Sequence, residues 1–332
     1  MMQGKKILVT GGCGYIGSRV AKALSEAGHD VRVVDIATPE EHKKVMVELP
    51  SAVEILTCDL REKSCAKKSL KGIHLVVHLA ADIGPIGYMR DHQAEIMANN
   101  MAIDSVVYPT AVEAGVKTII YSSSSMVFQG AEHYPYKESD LPLIKPPTNI
   151  YGFSKLGGEY FCTAFQKQYG LQYVVIRYHN VYGPGEDSKG STLADIHVIP
   201  ALIKKIISGQ YPLELLGEVE ATRPFTYVDD AVEATTMIIE EALKENPRVI
   251  NSDFNIGSKD VTKIIDLARL IWELLGVRKE LKYIVDKTDF NTAIQREMDP
   301  SKIEHLIGWA PKIGLKEGIL KTAAWIRNAR KI

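Results

Sequence analysis

Thr10-Gly-Gly-Cys-Gly-Tyr-Ile-Gly17 connects an apolar strand pattern at residues 5–10 to a helical pattern that ends at Gly28. A second strand pattern follows at residues 31–35. In such a unit, glycines at this spacing permit a tight turn, close approach of the backbone to a pyrophosphate and close packing of helix on strand. The unpaired N–H groups at the start of the helix can bind the phosphates. We therefore predict a dinucleotide site whose turn and helix start contain Gly11, Gly14, Tyr15, Ile16 and Gly17.

Asp35 ends the second strand pattern. A carboxylate at this place can accept hydrogen bonds from both hydroxyls of an adenosine ribose, and it repels a 2′-phosphate. We therefore expect NAD rather than NADP as the cofactor. Arg32 does not alter this expectation, because its side chain leaves the strand interior and is expected to be solvated.

The composition of the 332-residue chain is ordinary for a globular protein, with 45% hydrophobic and 24% charged residues. Lys and Arg number 40 and Asp and Glu 41, and the resulting net charge of −1 argues against general electrostatic binding to nucleic acid or an anionic membrane. No apolar run approaches the ~20 residues that span a bilayer. The four cysteines show no zinc-like spacing and follow no secretory leader, so we expect no metal site, four free thiols and a cytoplasmic protein.

Strand and helix patterns alternate through the first 180 residues. The near-continuous apolar run at residues 75–79 is typical of a parallel strand covered on both faces. We predict an α/β fold, with a Rossmann-type doubly wound parallel sheet over residues 1–180 and a smaller mixed α/β domain over residues 181–332. Late strands can rejoin the sheet. The predicted strands include 53–57, 75–79, 118–121 and 173–177, and the helices include 94–114, 151–169, 197–208, 228–243, 262–275 and 315–329.

Tyr151 and Lys155 lie four residues apart, which places both on one face of a helix. A positive charge a few ångströms from a phenol stabilises the phenolate and lowers the tyrosine pKa. The pair could therefore act as a general acid–base near neutral pH. Four serines at 122–125 follow a predicted parallel strand, at the sheet edge where ligands bind. A polar loop is the plainer alternative for the serines, but Tyr151 favours a hydroxyl that relays a proton.

Several further motifs extend along nearly the whole chain. They are Asp59-Leu60, Leu79-Ala-Ala81, Asn100, the serines that end in Ser124, Arg177-Tyr-His-Asn-Val-Tyr-Gly-Pro184, Arg223-Pro-Phe-Thr-Tyr-Val-Asp-Asp230, Phe254-Asn-Ile-Gly257 and Leu306-Ile-Gly-Trp-Ala-Pro311. With these motifs the chain resembles the extended short-chain dehydrogenase/reductase superfamily, in its nucleotide-sugar epimerase/dehydratase branch. The resemblance implies an NAD-dependent enzyme that acts on a nucleotide sugar.

The resemblance also implies a role for each matching residue. Tyr151 is the acid–base on the sugar hydroxyl, Lys155 binds the nicotinamide ribose and tunes Tyr151, and Ser124 bonds the reacting sugar oxygen. The other residues implied to contact NAD are Asp59, Leu60, Leu79, Ala80, Ala81, Asn100 and Tyr178. The residues implied to contact the nucleotide sugar are Ser124, Ser125, Met126, Asn180, Lys189, His197, Val198, Arg223 and Arg296.

Plainer alternatives stay open for several of these residues. Arg223 and Arg296 could be surface cations, although a diphosphate needs the charge-assisted, bidentate donors that arginine supplies. Asn180 could cap a turn, and Lys189 could be a solvated loop charge. His197, like His179, could be a core or loop histidine.

The residues after Ser124 bear on the reaction. Related 4,6-dehydratases have an Asp-Glu pair there and related decarboxylases a glutamate, where this chain has Ser125-Met126. A thioether neither removes nor supplies a proton. The hypothesis is therefore C4 epimerisation of a UDP-hexose or UDP-hexuronate through a transient 4-keto intermediate.

Other reactions stay open as alternatives. Residues 80–88 and 97–101 resemble GDP-mannose 3,5-epimerases, and Lys189 falls where that family has a catalytic lysine, but Met126 replaces its partner cysteine. A GDP sugar is therefore the close alternative substrate. A net NAD-dependent oxidoreductase or dehydratase and a non-catalytic NAD sensor are further alternatives.

The resemblance also implies a homodimer that pairs through the helices at 94–114 and 151–169. Four side chains belong either to that interface or to the core: Tyr108, Val112, Phe161 and Phe165.

Overall fold

The structure is a computed structural model that describes residues 5–41, 46–186, 197–287 and 294–330. Its strands are β1 (Lys6–Thr10), β2 (Asp30–Asp35), β3 (Glu54–Thr57), β4 (Leu75–His78), β5 (Thr118–Ser124), β6 (Gln172–Tyr178), β7 (Val181–Tyr182), β8 (Leu213–Leu216), β9 (Thr222–Pro224), β10 (Thr226–Tyr227), β11 (Ser252–Ile256), β12 (Val261–Lys263) and β13 (Tyr283–Asp286). Its α-helices are α1 (Tyr15–Glu26), α2 (Lys63–Leu70), α3 (Ile86–Asp91), α4 (Gln93–Ala114), α5 (Ile150–Tyr169), α6 (Val198–Ile207), α7 (Val228–Leu243), α8 (Ile264–Leu274), α9 (Ser301–Ile307) and α10 (Leu315–Arg330). Short 3₁₀ helices are formed at Ser125–Phe128 and Glu138–Leu143.

A parallel sheet organises the described part of the chain, with strands in the order β11-β6-β5-β4-β1-β2-β3. The chain adds β2 and β3 on one side of β1 and then crosses to β4 on the other side. Doubly wound sheets bind ligands at the carboxyl ends of their strands, where the direction of strand addition reverses. Thr10 ends β1 directly opposite His78, which ends β4, so both lie at this crevice.

Helices cover both faces of the sheet. Successive side chains of β1 point to opposite faces, so Ile7 and Val9 pack in one buried cluster and Leu8 in another. The first cluster also holds apolar side chains of α1 and α7, and the second those of α2, α4 and α5. This is the doubly wound α/β sheet that the sequence predicts.

Long-range pairing lengthens the strand predicted at residues 118–121 and adds a late strand to the sheet. β5 continues through the serines, because Ser122 pairs with Ile176 and Ser124 with Tyr178 of β6. β11 pairs with the other edge of β6, so a late strand does rejoin the sheet. The division of the chain near residue 180 stays a prediction.

The later half of the chain forms helices where they are predicted, as α6, α7, α8 and α10. Three small strand pairs accompany them: β7 with β10, β9 with β12 and β8 with β13. None of the helices in the described ranges has the length and apolar character that crossing a membrane requires.

The expectation of four free thiols is wrong. Cys58 and Cys65 form a disulfide, whereas Cys13 and Cys162 are free and buried. Cys58 directly follows β3 and Cys65 lies in the first turn of α2, so the connection between them brings their Cα atoms to 5.9 Å. That separation is normal for a disulfide, and it arises from the path of the chain rather than from a cysteine motif.

Substitution of Gly17 can test the close packing of α1 on the turn, because a Cβ at this residue would lie 2.1 Å from the Gly11 carbonyl oxygen. We expect Gly17→Ala to displace the turn, to lower the free energy of unfolding by about 1–3 kcal/mol and to weaken dinucleotide binding. Gly314→Ala is the control, because a Cβ there would meet nothing within 4 Å. Denaturant unfolding of both variants measures the difference, and equal stabilities would contradict the packing argument.

Candidate active site

The glycine turn at the end of β1 has the shape of a phosphate site. Gly11 adopts a φ of +65°, and a Cβ there would lie 2.9 Å from the backbone nitrogen of Ala80. Gly14 caps α1 with its N–H donated to the Gly11 carbonyl at 3.1 Å, and no side chain caps the helix. Because the first turn of α1 also lacks an acidic residue, its N–H groups suit the pyrophosphate of a dinucleotide.

Asp35 lies beside this turn at the end of β2. Its carboxylate is buried and accepts hydrogen bonds from the N–H groups of Cys13 at 3.0 Å and Ala37 at 3.2 Å. Arg32 is not solvated as expected. Its guanidinium donates to Glu54 at 2.8 Å and to the Ser69 carbonyl at 2.8 Å, and its side chain is only 12% exposed. An arginine held in this way is not directed at a 2′-phosphate, which favours NAD.

Asp59 and Leu60, which are predicted to contact NAD, follow the next strand, β3. Leu60 is buried, and Asp59 pairs with Arg61 through an Oδ2 contact of 2.6 Å. The Arg61 hydrogen bonds lower the pKa of Asp59. Both residues follow β3 and precede α2, at the same edge of the sheet as Asp35.

Leu79, Ala80 and Ala81 leave β4 beside the glycine turn. The N–H groups of Leu79 and Ala80 both donate to the Thr10 hydroxyl at 3.1 Å. Because Gly11 has no side chain, the two backbones approach closely, as a cofactor lying along them requires.

Asn100 connects this segment to α5. Its Oδ1 accepts from the Asp82 N–H at 2.6 Å, and its amide group donates to the Ser154 hydroxyl at 3.0 Å. Ser154 in turn donates to the Tyr151 carbonyl at 2.8 Å. Asn100 therefore joins the cofactor segment to the helix turn that carries Tyr151.

Tyr151, Lys155 and Ser124 meet at the carboxyl end of β5. Asn149 caps α5 by accepting the Gly152 N–H at 3.1 Å, which begins the helix just before Tyr151. Ser124 lies close enough to Tyr151 to lower its pKa as a hydrogen-bond partner, and the Ser124 hydroxyl accepts the Met126 N–H at 3.2 Å. The structure thus brings the predicted proton-relay hydroxyl to the predicted acid–base.

The electrostatics of the pair differ from the expectation. Burial raises the pKa of Tyr151, and the Ser124 hydrogen bond offsets only part of that rise. The Lys155 ammonium donates to the Ser122 carbonyl at 2.7 Å and lies 5.1 Å from the centre of the Tyr121 ring. Burial lowers the pKa of Lys155 to about 8, against the charges of Asp104 and Glu159. Desolvation of the helix face therefore outweighs the simple pairing of ammonium and phenol.

Two arginines, Arg223 (buried) and Arg296 (partly buried), line the predicted substrate side. Arg223 donates to the carbonyls of Thr222 at 2.7 Å and Ile294 at 2.8 Å, and burial with the nearby Arg296 charge lowers its pKa. The Nε of Arg296 is buried without a hydrogen-bond partner, and burial lowers the pKa of this guanidinium as well. Two neighbouring guanidiniums of this kind have the donors and charge that suit a polyanion.

Neutral polar groups border the two arginines. His179 is fully buried, neither ring nitrogen has a hydrogen-bond partner, and burial and both arginine charges lower its pKa far below the usual value. Asn180 adopts a φ of +40° and donates to the Pro224 carbonyl at 2.9 Å. The buried Tyr136 hydroxyl also lacks a partner.

Met126 connects the arginine site to the acid–base. Its side chain packs with Tyr151 and Ile96 in one small buried cluster, and the Arg296 Nη1 lies 2.6 Å from its sulfur. A thioether thus occupies the place beside Tyr151 where the sequence comparison with dehydratases and decarboxylases expects a carboxylate.

The remaining residues predicted to contact NAD or the nucleotide sugar differ in how far they are buried. Ser125 is buried behind Ser124, and the Tyr178 hydroxyl bonds to Thr235 at 2.6 Å. His197 pairs with the buried Glu186, and Val198 begins α6 as a half-buried residue. Lys189 lies outside the described residues.

The sequence interpretation missed three residues beneath the site, Thr10, His78 and Asp104. They form a buried hydrogen-bonded series that begins at the end of β1. The only signal in the sequence is a histidine inside the apolar run of β4, which strand periodicity alone cannot assign. In the described ranges, no group of three or more His, Cys, Asp or Glu side chains could hold a metal ion.

Residues 7–257 match the family model described as the NAD dependent epimerase/dehydratase family. The chain belongs to this family. The predictions of an enzyme and of NAD as its cofactor are therefore confirmed.

Three relatives show the range of the family. The structure of UDP-glucose 4-epimerase from Thermotoga maritima with UDP-glucose is 29% identical and superposes with a TM-score of 0.84, over 98% of this chain and 99% of that one. The structure of UDP-glucuronic acid 4-epimerase from Bacillus cereus with UDP-glucuronic acid and NAD is 26% identical, with a TM-score of 0.84 and the same coverages. GDP-mannose 3,5-epimerase 1 from Oryza sativa subsp. japonica is 29% identical over 97% of this chain and 82% of its own length.

The titration of Lys155 should be visible in cofactor binding. Its lowered pKa of about 8 means that the ammonium loses its charge as the pH rises through that value. If Lys155 holds the nicotinamide ribose as an ammonium, NAD affinity should be constant below about pH 7 and should fall above pH 8. Calorimetric titration with NAD from pH 6.5 to 9.5 measures this loss of affinity. An affinity that stays constant over the whole range would contradict the assignment of Lys155.

Proposed function

We propose that the chain is an NAD-dependent nucleotide-sugar 4-epimerase whose substrate is a UDP-hexose or UDP-hexuronate. The observation that carries the proposal is the position of Ser124 beside Tyr151, next to a methionine thioether. C4 epimerisation needs one group that takes and returns a proton at a single oxygen, and no second acid or base.

Tyr151 and Ser124 would handle the proton at O4 of the sugar. Bound NAD supplies reversible hydride exchange at the neighbouring carbon. As a phenolate, Tyr151 takes the O4 proton when the sugar is oxidised, and the phenol so formed returns it after the keto sugar has presented its other face. Ser124 would hold the same sugar oxygen and keep Tyr151 oriented, because it lies close enough to lower the Tyr151 pKa as a hydrogen-bond partner.

The glycine turn, Asp35 and Lys155 would hold NAD. The turn and the start of α1 offer N–H groups to the pyrophosphate, and the Asp35 carboxylate offers acceptors to the adenosine ribose. Lys155 would hold the nicotinamide ribose as an ammonium, so it needs its proton to bind NAD.

The surroundings of Tyr151 disfavour dehydration and decarboxylation. Both reactions need a further group that exchanges a proton with carbon or with a leaving oxygen. Among the described residues, burial and Ser124 alone shift the Tyr151 pKa, with no contribution from a carboxylate. Met126, which fills the adjoining space, has no proton to exchange.

Arg223 and Arg296 would bind the diphosphate of the nucleotide sugar. Arg223 is buried, and the charge of Arg296 lies close enough to lower its pKa. A diphosphate would relieve this repulsion with charge-assisted hydrogen bonds. Asn180, which shares this side of the crevice, would add a neutral donor.

The proposal has two candidates for the nucleotide base of the substrate, uracil and guanine. The two 4-epimerase structures in the comparison hold UDP sugars, which supports a UDP sugar here. The GDP-mannose 3,5-epimerase relative supports a GDP sugar as the second candidate, because it is as similar in sequence as the Thermotoga enzyme.

We also propose a cytoplasmic homodimer that pairs through α4 and α5. Of the four side chains named for the interface, Tyr108 is buried in the core of one chain, and Val112, Phe161 and Phe165 are partly buried against it. The outer face of α5 instead exposes Tyr160, at 68%, and Phe153, at 42%. These aromatic rings support an interface there, and light scattering on the purified protein measures its mass.

Product analysis tests the reaction. We expect incubation with UDP, GDP, CDP and dTDP sugars to give, for one nucleotide, an isomer of unchanged mass without net gain of NADH absorbance. Tyr151→Phe should retain NAD and lose turnover by a factor of at least about 100, since general acid–base catalysis contributes that much. A product lighter by water or carbon dioxide, or accumulating NADH, would contradict epimerisation.

The arginine site makes a separate prediction. Arg296→Gln should weaken binding of UDP or GDP by about tenfold or more, since hydrogen bonds between charged groups contribute about 1.5–3 kcal/mol. NAD affinity should not change. Arg269→Gln removes an exposed arginine that pairs with Asp266 on α8 and serves as the matched control. If both variants bind the nucleoside diphosphate as the wild type does, Arg296 does not contact it.

A further inference from the structure

A buried hydrogen-bonded series runs beneath the active site from β1 to α4. The Thr10 hydroxyl lies 2.8 Å from the Nδ1 of His78, and the Nε2 of His78 lies 3.0 Å from the Oδ1 of Asp104. All three residues are at most 3% exposed. None of them was assigned a role above, yet each contacts an element of the proposed catalytic site.

The hydrogen bonds of Thr10 decide the proton position on His78. The Thr10 oxygen accepts the N–H groups of Leu79 and Ala80, which use its two lone pairs. The hydroxyl must therefore donate its own hydrogen to Nδ1 of His78. The ring then carries its single proton on Nε2 and donates it to Asp104.

Asp104 is connected to Lys155 through Tyr121. Its Oδ2 accepts the Tyr121 hydroxyl at 3.5 Å, and the Lys155 ammonium lies over the ring of that same tyrosine. Gly158, one turn beyond Lys155 on α5, permits the approach, because a Cβ there would lie 2.8 Å from the Asp104 Oδ2. The Asp104 carboxylate therefore lies against the turn of α5 that follows Lys155, near enough for its charge to favour the ammonium.

Among the described residues, Asp104 is also the carboxylate near Lys155 that has no arginine or lysine as a hydrogen-bond partner. Two carboxylates favour the charged lysine, Asp104 first and Glu159 second. Both oxygens of Glu159 are taken by Arg177, at 2.8 and 2.7 Å. Asp104 has instead a neutral imidazole and a phenol as its donors among the described residues.

We propose that His78 is a positioning residue that holds two parts of the active site at once, the Leu79–Ala80 amides through Thr10 and the Asp104 carboxylate beneath Lys155 through its Nε2–H. The proposal rests on the role of Lys155 in the proposed function. His78 touches neither cofactor nor substrate, and its two ring nitrogens serve the two tasks separately.

Two substitutions separate these tasks. His78→Asn retains an amide oxygen near the Nδ1 position, so it still accepts the Thr10 hydroxyl but no longer donates to Asp104. His78→Gln retains an amide N–H near the Nε2 position, so it still donates to Asp104 but no longer accepts from Thr10. Asp104→Asn removes the charge with little change of shape.

NAD affinity measured against pH distinguishes the variants. Asp104→Asn should move the alkaline loss of affinity to lower pH by about one unit, because removing a nearby negative charge makes the ammonium easier to deprotonate. His78→Asn should move it in the same direction, and the double variant should move it no further than Asp104→Asn. His78→Gln should leave the midpoint unchanged and weaken NAD binding at every pH by about fivefold, the value of one hydrogen bond.

Thermal unfolding of each variant controls for a merely structural role. The proposal is overturned if His78→Asn and His78→Gln have the same effect on the midpoint and on affinity, or if Asp104→Asn leaves the midpoint in place. The isosteric Asp104→Asn decides the pH part even if a His78 variant fails to fold. NAD binding is measured without substrate, so a wild type that epimerises no nucleotide sugar contradicts the proposed function and leaves this test valid.

Discussion

The parallel pairing of β1 with β4 is the constraint on which the active site depends. It brings the end of the glycine turn against the segment that leaves β4, with Thr10 opposite His78. The closeness of the two backbones is possible only because Gly11 has no side chain. The crevice lies where the strand order reverses. The proposed cofactor-binding residues at the crevice follow β1, β2 and β3, and the proposed catalytic residues lie on β5 and α5.

Desolvation is the dominant electrostatic effect at the site. It raises the pKa of Tyr151 and lowers those of Lys155, Arg223 and Arg296. Lys155, Arg223 and Arg296 are thus cations that desolvation disfavours, which suits the binding of polyanions such as a dinucleotide and a nucleotide sugar. Each donates to a neutral partner, namely the Ser122 carbonyl, the Thr222 carbonyl and the Met126 sulfur.

The choice of reaction depends on what is placed beside a shared acid–base. The family includes enzymes named as epimerases and as dehydratases on one fold, so the sheet and the tyrosine cannot decide between them. In the proposed 4-epimerase the deciding position is Met126, whose thioether packs on Tyr151 and contacts Arg296. Because this side chain has no exchangeable proton, the proposal leaves the proton of the sugar hydroxyl as the one that the site moves.

The sequence alone determined the doubly wound sheet, the glycine turn, the cofactor and the Tyr151–Lys155 pair, because each depends on spacing within a single strand, turn or helix. Tertiary packing decided what joins these elements. The series Thr10, His78 and Asp104 connects residues 68 and 26 positions apart, and the Cys58–Cys65 disulfide depends on how the chain passes from β3 to α2. The protonation of Tyr151 and Lys155 was likewise decided by burial, which no local pattern records. Local backbone geometry is encoded by neighbouring residues, whereas desolvation and long-range hydrogen bonds exist only after the strands have paired.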